Sequence, residues 1–189
     1  MLPAALMVID MQNAYFESPE LQKHQERLVE KTNALIRSAR AAQVPVLMVC
    51  TEHERDKSTW TLSMLDDDQG FIFSGSDQAA FIPGLEYDDL PRLIKTRDSA
   101  FVGTDVLLRL RNWKVETLVL AGVATHNCVA QTAADAFAHS FRVTFARDAL
   151  ASTDEDYEAA ILKMLSDEYR QPVLGNDEII EFFGSLAGR

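Results

Sequence analysis

A short apolar run that stops at a glycine and leads into a helical pattern constrains this chain more than any other segment. Residues 115–120 read VETLVL, a mostly apolar run rich in β-branched side chains, which is typical of a strand buried on both faces. Gly122 ends the run, and apolar residues recur at helical spacing from Val129 onward. Thr125 is a good N-cap residue, so we predict that a helix begins there.

Cys128 falls in the first turn of that predicted helix. Backbone N–H groups in a first turn lack intrahelical acceptors, and the helix dipole favours negative charge there. A thiolate at this position would be stabilised, with a lowered pKa, and the same N–H groups suit an oxyanion. Cys128 is therefore a candidate nucleophile. The alternative is a small buried residue without reactivity, as free cysteines often are.

Strands alternate with amphipathic helices along the whole chain. The expected strands cover residues 4–9, 44–50, 92–95, 115–120, 143–146 and 173–174. The expected helices cover residues 21–42, a segment opened by Thr104, the segment after Thr125, residues 154–166, and a last helix capped by Asn176. Such alternation predicts an α/β fold with a parallel sheet and helices on both faces. We find no repeat or linker, so we expect one domain over residues 1–189.

The segment from residue 51 to about residue 91 lacks a strong period and carries an acidic run at positions 66–68. A connection of this length inside a compact domain is usually functional, often a lid or a substrate-binding excursion. We expect it to shape a binding pocket.

Charge and cysteine content exclude some classes of protein. The formal net charge is −11, whereas nucleic-acid binding needs clustered Lys and Arg, so we expect no nucleic-acid partner. The two cysteines, Cys50 and Cys128, adjoin predicted strands, which fits a reducing compartment better than a disulfide framework. We interpret Cys50 as a core residue. There is neither a signal-peptide pattern nor an apolar run of membrane-spanning length, so we expect a cytoplasmic protein without a membrane partner.

Three reactive side chains share one expected location. Asp10 ends the first strand, Lys95 ends the third and Cys128 follows the fourth. Open parallel sheets bind ligands outside the carboxyl ends of their strands. Each residue alone has an ordinary explanation, such as a turn cap for Asp10 or a solvated strand end for Lys95. Their common edge favours one active site.

Three motifs carry a resemblance to a known family. Residues 8–13, 95–101 and 122–129 read VIDMQN, KTRDSAF and GVATHNCV. The chain thereby resembles the isochorismatase-like hydrolases, also called the cysteine hydrolase superfamily. The similarity runs from near residue 4 to about residue 155, and the three motifs stand in the right order at compatible spacings.

The resemblance implies a Rossmann-like, three-layer α/β/α fold with a six-stranded parallel sheet in the order 3-2-1-4-5-6. It also implies that such a protein forms homodimers or homotetramers. With that order Lys95 starts two strands from Asp10, on the order of 10 Å away, so its side chain must lean back across the sheet edge.

The resemblance further implies a catalytic triad: Cys128 as nucleophile, Asp10 as general acid and base, and Lys95 as the stabilising cation. A cis peptide bond between Val123 and Ala124 is typical of the family. It aims the Ala124 N–H, together with that of Cys128, into an oxyanion hole. Family members with this cysteine mostly hydrolyse amides, ureas or carbamoyl groups of small molecules.

The chain departs from one branch of the family at the metal site. Nicotinamidases carry a metal-binding Asp-x-His just past the second strand, but residues 51–54 here read TEHE, and no histidine occurs between His53 and His126. A divalent metal needs several converging ligands, so we expect neither a metal nor another cofactor. His53 is then a pocket-lining hydrogen-bonding residue or a surface residue. Candidate pocket walls, each with core packing as the alternative, are Tyr15, Phe16, Trp60 and Phe101.

Three functional hypotheses remain at this point. The first is a metal-independent cysteine amidohydrolase that cleaves a C–N bond through a thioester acyl-enzyme. The second is an isochorismatase-type vinyl-ether hydrolase, in which Asp10 does the chemistry and Cys128 is incidental. The third is a non-catalytic binding protein of the same fold. Cys128 favours the first over the second, because family members that cleave the vinyl ether lack this cysteine.

Overall fold

The computed structural model, which describes residues 3–187, is organised around one parallel β-sheet. Within these residues, six strands pair in parallel in the order β3-β2-β1-β4-β5-β6. The strands are β1 (Ala4–Ile9), β2 (Val46–Thr51), β3 (Arg92–Lys95), β4 (Thr117–Gly122), β5 (Arg142–Leu150) and β6 (Val173–Leu174). The fold class and the strand order predicted above are confirmed.

Seven α-helices flank this sheet in the described part of the chain. They are α1 (Pro19–Gln22), α2 (Gln25–Ala41), α3 (Leu62–Asp66), α4 (Val106–Asn112), α5 (Ala130–Ala138), α6 (Glu155–Tyr169) and α7 (Asn176–Gly184). Shorter turns are 3₁₀ at Asn13–Glu17 and Asp77–Ala79, and π-helical at Thr125–Val129. Between residues 3 and 187, no helix is both long and apolar enough to cross a membrane.

Strand β1 lies between two hydrophobic layers, one on each face of the sheet. Its even-numbered residues face a cluster with α2 and α7, and its odd-numbered residues face a second cluster with α4, α5 and α6. All six side chains are buried. A strand covered on both faces needs no polar alternation, which is why residues 4–9 read as one apolar run. The two layers hold the carboxyl edge of the sheet in place.

Two helix starts differ from the prediction. The N-cap of the turn after β4 is Ala124 and not Thr125, whose N–H and hydroxyl both donate to the Ala151 carbonyl, at 3.0 and 3.1 Å. The N-cap of α7 is Gly175 and not Asn176, whose side-chain amide donates to Lys31 O at 2.8 Å. Short polar side chains bond whichever backbone group is in reach, and here tertiary partners are nearer than the helix's own N–H groups.

The excursion between β2 and β3 is fastened to the sheet by Gln12. Its Nε2 donates to the carbonyls of Thr51 and Ala79, both at 2.9 Å, and its Oε1 accepts from the Thr51 N–H at 2.8 Å. Gln12 also forms an isolated bridge with Phe81. Residues 52–91 are therefore held over the carboxyl ends of β1 and β2.

Candidate active site

Asp10 occupies the first position after β1 in a left-handed conformation, with φ of 53°. Its side chain is fully buried, and its N–H donates to Val49 O at 2.9 Å. A residue with a side chain costs on the order of 1 kcal/mol or more in this conformation, so the surrounding packing must fix it. The carboxylate is thereby aimed along the sheet edge towards β2.

Lys95, the last residue of β3, reaches back across β2 to this carboxylate. Its Nζ lies 2.8 Å from Asp10 Oδ2, donates to Thr51 Oγ1 at 2.7 Å and lies 3.4 Å from Cys128 Sγ. Only 1% of the Lys95 surface is exposed. Burial is the largest single influence and lowers the pKa of Lys95, but the charges of Asp10 and Cys128 and the hydrogen bonds to both together outweigh it, and the net shift is upward. The ammonium is therefore held charged between the other two groups.

Thr51, at the end of β2, links these groups and was missed by our reasoning from sequence. Its hydroxyl accepts from Lys95 and from the Tyr15 hydroxyl, at 3.1 Å, and donates to Asp10 Oδ1 at 3.0 Å. Burial raises the pKa of Tyr15 well above its usual value, and the charge of Asp10 adds to the shift. The rule that selected Asp10 and Lys95, a polar residue at a strand's carboxyl end, would also have selected Thr51.

Cys128 lies in the π-helical turn after β4, and its thiol is buried against Lys95. Burial raises the pKa of this thiol well above its usual value. The charge of Asp10 adds to that shift, and Lys95 opposes it. The expectation of a lowered pKa is therefore wrong. The helix terminus and the lysine do not offset the loss of solvent, so the resting side chain is a neutral thiol.

The approach to Cys128 depends on Gly122, which has φ of 115°. A Cβ on Gly122 would lie 1.9 Å from the Ile9 carbonyl oxygen, so no other residue fits. The next peptide bond, between Val123 and Ala124, is cis. Among residues 3–187, the Ala124 N–H donates no hydrogen bond to another backbone group. A backbone donor without a backbone acceptor thus stands in the segment that leads to the thiol.

A cavity of about 570 Å³ opens beside these groups. Its walls include residues from the 3₁₀ turn, the excursion and the loop after β3: Tyr15, Thr51, His53, Thr61, Ser63, Met64, Asp67, Gln69, Phe71, Thr96, Arg97 and Asp98. Two of the predicted pocket residues, Tyr15 and His53, belong to this set. Burial lowers the pKa of His53, whose Nδ1 lies 2.9 Å from Thr59 O, so the ring is neutral.

The other three predicted pocket residues have packing roles. Phe16 is 5% exposed and lies in the hydrophobic core. The Trp60 indole donates to Glu54 O at 2.8 Å and packs on Phe73. Phe101 stacks on His139, with 5.2 Å between ring centroids. These aromatic side chains were predicted as pocket walls, and the structure assigns them the alternative role instead.

The residues after β2 do not fit a metal ion. The Glu52 carboxylate is taken up by Arg92 at 2.9 Å, and one ring nitrogen of His53 by a backbone carbonyl. Within the described range 3–187, no three His, Cys, Asp or Glu side chains converge as metal ligands.

The second cysteine lies apart from this cluster. Cys50 is fully buried on β2, and its Sγ lies 3.5 Å from an Arg92 nitrogen. Burial raises the pKa of this thiol as well. Its position on the side of β2 that faces the α2 layer agrees with a core role.

Comparison with known proteins was made with this geometry in hand. The model of the family described as "Isochorismatase domain" matches residues 4–176. An Arabidopsis thaliana protein named "probable inactive nicotinamidase" is 34% identical over 181 residues, which is 90% of this chain and 92% of that protein.

Two solved structures are similar over nearly their whole length. One is an isochorismatase family protein from Desulfovibrio vulgaris, with a TM-score of 0.85 and 28% identity over 97% of this chain and 100% of that chain. The other is the N-carbamoylsarcosine amidase from Thermoplasma acidophilum, with a TM-score of 0.78 and 25% identity over 93% of this chain and 98% of that chain.

Proposed function

This chain belongs to the isochorismatase domain family of hydrolases, and on that premise we propose that it is a metal-independent cysteine amidohydrolase. Its substrate is a small amide, urea or carbamoyl compound, and its C–N bond is cleaved through a thioester on Cys128. One observation carries the proposal: a single buried ammonium, Lys95 Nζ, contacts both the Asp10 carboxylate and the Cys128 thiol beside a cavity of small-molecule size.

The raised pKa of the Cys128 thiol decides how the nucleophile is generated. Loss of its proton to solvent would leave an extra negative charge in a buried site, which desolvation disfavours. Transfer of the proton to Asp10 leaves the net charge of the cluster unchanged, because a thiolate replaces a carboxylate beside the same Lys95 ammonium. We therefore assign Asp10 as the general base that takes the proton as Cys128 attacks.

Acylation forms one bond and breaks another. Cys128 Sγ bonds to the carbonyl carbon of the substrate, and the carbonyl oxygen becomes an oxyanion. We assign the Ala124 N–H, which donates no backbone hydrogen bond within residues 3–187, and the Cys128 N–H as the donors to this oxyanion. The C–N bond then breaks as the protonated Asp10 returns its proton to the leaving nitrogen, which departs as ammonia or an amine.

Hydrolysis of the thioester uses the same carboxylate. Asp10 removes a proton from water, whose oxygen attacks the acyl carbon, and the C–S bond breaks to give the acid. Asp10 then returns the proton to the sulfur, which restores the thiol. Lys95 remains protonated throughout, in agreement with the upward shift of its pKa. Its role is to stabilise whichever partner is anionic.

The proposal is tested by ammonia release from a panel of small primary amides and ureas, together with intact-mass detection of an acyl adduct. We expect turnover by the wild type, an adduct of one acyl group on Cys128, and neither with Cys128→Ala. The variant Cys50→Ala is the matched control and should retain both.

Each alternative predicts a different outcome of the same experiment. Hydrolysis that survives Cys128→Ala would favour chemistry by Asp10 alone, as in vinyl-ether cleavage. Absence of both ammonia and adduct with every amide, urea and activated ester would favour a binding protein. Because the similar Arabidopsis thaliana protein is named "probable inactive", the experiment has to be able to detect this last outcome.

A further inference from the structure

Asp98 is a charged residue next to the nucleophile, and the mechanism above assigns it no role. Its Oδ1 lies 3.7 Å from Cys128 Sγ, and its Oδ2 accepts from Gln131 Nε2 at 2.8 Å. One carboxylate oxygen is thus fixed by a partner on α5, which leaves the other directed at the sulfur. A group bonded to that sulfur would lie within a few ångströms of Oδ1.

The Asp98 carboxylate lies exposed at the cavity and forms no ion pair with a Lys or Arg among residues 3–187. Asp10 and Lys95 compensate each other at 2.8 Å, and His53 is neutral because burial lowers its pKa. A second carboxylate, Asp67, also lines the cavity. The acidic character of this wall is therefore local and not only a reflection of the net charge of −11.

Arg97 is the cation that lines the same cavity, and three of its five N–H donors are bonded to backbone carbonyls. Its NH1 donates to the carbonyls of Thr59 and Thr96, at 2.9 and 2.6 Å, and its NH2 donates to Trp60 O at 3.3 Å. The guanidinium thus fastens the excursion to the loop after β3. To pair with both terminal nitrogens, a carboxylate on the substrate would have to break bonds from NH1 to backbone carbonyls.

We infer that Asp98 is a specificity-determining residue that selects substrates with an ammonium or another N–H-rich group beside the scissile carbonyl and rejects substrates with a carboxylate there. The inference rests on the proposed function and narrows its substrate class to cationic or N–H-donating amides and ureas. Oδ1 accepts the N–H donors of such a substrate next to the sulfur, whereas an anionic group would be repelled from the same position.

The test measures charge selection at Cys128 without requiring turnover. The protein is treated with two methanethiosulfonates of similar size, the cationic 2-(trimethylammonium)ethyl reagent and the anionic 2-sulfonatoethyl reagent. Labelling of Cys128 is followed by peptide mass spectrometry, and each rate is divided by the rate with 2-mercaptoethanol. Both reagents react with the thiolate, so the ratio of the two rates is independent of the pKa of Cys128.

We expect a normalised ratio of about 10 or more in favour of the cation, since even the dielectric of water leaves a tenfold preference at about 6 Å from a carboxylate. Asp98→Asn should reduce the ratio about tenfold. Glu168→Gln, which removes one charge from the exposed surface of α6, is the matched control and should leave it unchanged. Added salt should lower the wild-type ratio.

Three outcomes would overturn the inference: a ratio that favours the anion, a ratio that is the same in wild type and Asp98→Asn, or no labelling of Cys128 by either reagent. A protein that shows the expected ratios yet hydrolyses no amide would refute the proposed function alone. Failure of the two proposals is therefore distinguishable.

Discussion

Lys95 Nζ lies 2.8 Å from Asp10 Oδ2 although strand β2 separates their strands, and both side chains are almost completely shielded from solvent. Burying two charges is costly unless the geometry is good and further hydrogen bonds satisfy them. Thr51 supplies such a bond to each partner. We therefore expect the pair to affect both the stability of the protein and the chemistry of the site. The first three predictions test these effects.

The thiol of Cys128 should titrate late. Its pKa is raised above the ordinary value of 9.0, so the rate of iodoacetamide labelling should still be rising at pH 9. Cys50, which is fully buried and has a raised pKa as well, should label more slowly at every pH. Labelling is measured from pH 6 to 10 by peptide mass spectrometry. A plateau below pH 8, or faster labelling of Cys50, would contradict this assignment.

Asp10 and Lys95 should shift the Cys128 labelling profile in opposite directions. Asp10→Asn removes a negative charge, which lowers the pKa of the thiol, whereas Lys95→Met removes the opposing positive charge and raises it. Asp10→Asn should also lower the rate of substrate hydrolysis by roughly 10²–10⁴-fold, because the asparagine side chain cannot transfer the proton. Shifts of the same sign, or none, would show that the three residues do not act as one site.

The stability of the ion pair should show strong coupling. Lys95→Met leaves the Asp10 carboxylate buried without its cation, which should cost roughly 3–5 kcal/mol in the free energy of unfolding. The double variant Asp10→Asn/Lys95→Met should recover much of that loss. Urea denaturation followed by circular dichroism gives the four free energies of unfolding, for the wild type, Asp10→Asn, Lys95→Met and the double variant. Additive losses in the double variant would argue against direct coupling.

Gly122→Ala should prevent normal folding around the nucleophile. The added Cβ would lie 1.9 Å from the Ile9 carbonyl oxygen, in a backbone conformation that L-residues rarely adopt. We expect a large loss in midpoint temperature or insoluble protein. Gly184→Ala, where nothing lies within 4 Å of the added Cβ, is the matched control and should be tolerated. A folded Gly122→Ala variant with full activity would contradict the described approach to Cys128.

Chelators should not change turnover. Glu52 and His53 belong to the TEHE segment, the part of the sequence that most resembles a metal-binding motif. The Glu52 carboxylate pairs with Arg92, and a ring nitrogen of His53 contacts a backbone carbonyl. Ammonia release is compared before and after dialysis against EDTA. Activity that is lost on dialysis and returns with zinc or manganese would require a metal-dependent mechanism.

Strand β1 was predictable because a central parallel strand is buried on both faces and reads as one apolar run. Residues 92–95 match β3 residue for residue as well, although β3 is an edge strand whose residues alternate between exposed and buried. The carboxyl-edge rule then brought Asp10, Lys95 and Cys128 to one place. Helix starts were less predictable. Thr125 and Asn176 look like caps in sequence, but each is drawn to a carbonyl distant in the chain, which no local pattern records.

The pocket walls and the state of the thiol could not be obtained from sequence. In the sequence, Phe16 and Phe101 are as suitable for a pocket wall as Tyr15, because all three are aromatic. Only the tertiary fold decides which ring meets the cavity. For Cys128, the helix-terminus argument gave the sign of one contribution, whereas burial decided the sum. Solvent exclusion is a property of the whole packed edge and is invisible in a short motif.

The three hydrogen bonds of Gln12 separate two parts of the molecule that can change independently. They hold Thr51, and with it the Asp10–Lys95 pair, on one side, and they hold Ala79 within the excursion on the other. We expect substitutions between these two anchor points to alter the walls of the cavity more than the positions of Asp10 and Lys95. The same arrangement makes residues 54–76 the natural segment to randomise in directed evolution, since new substrate preference can be sought there while the catalytic geometry is kept.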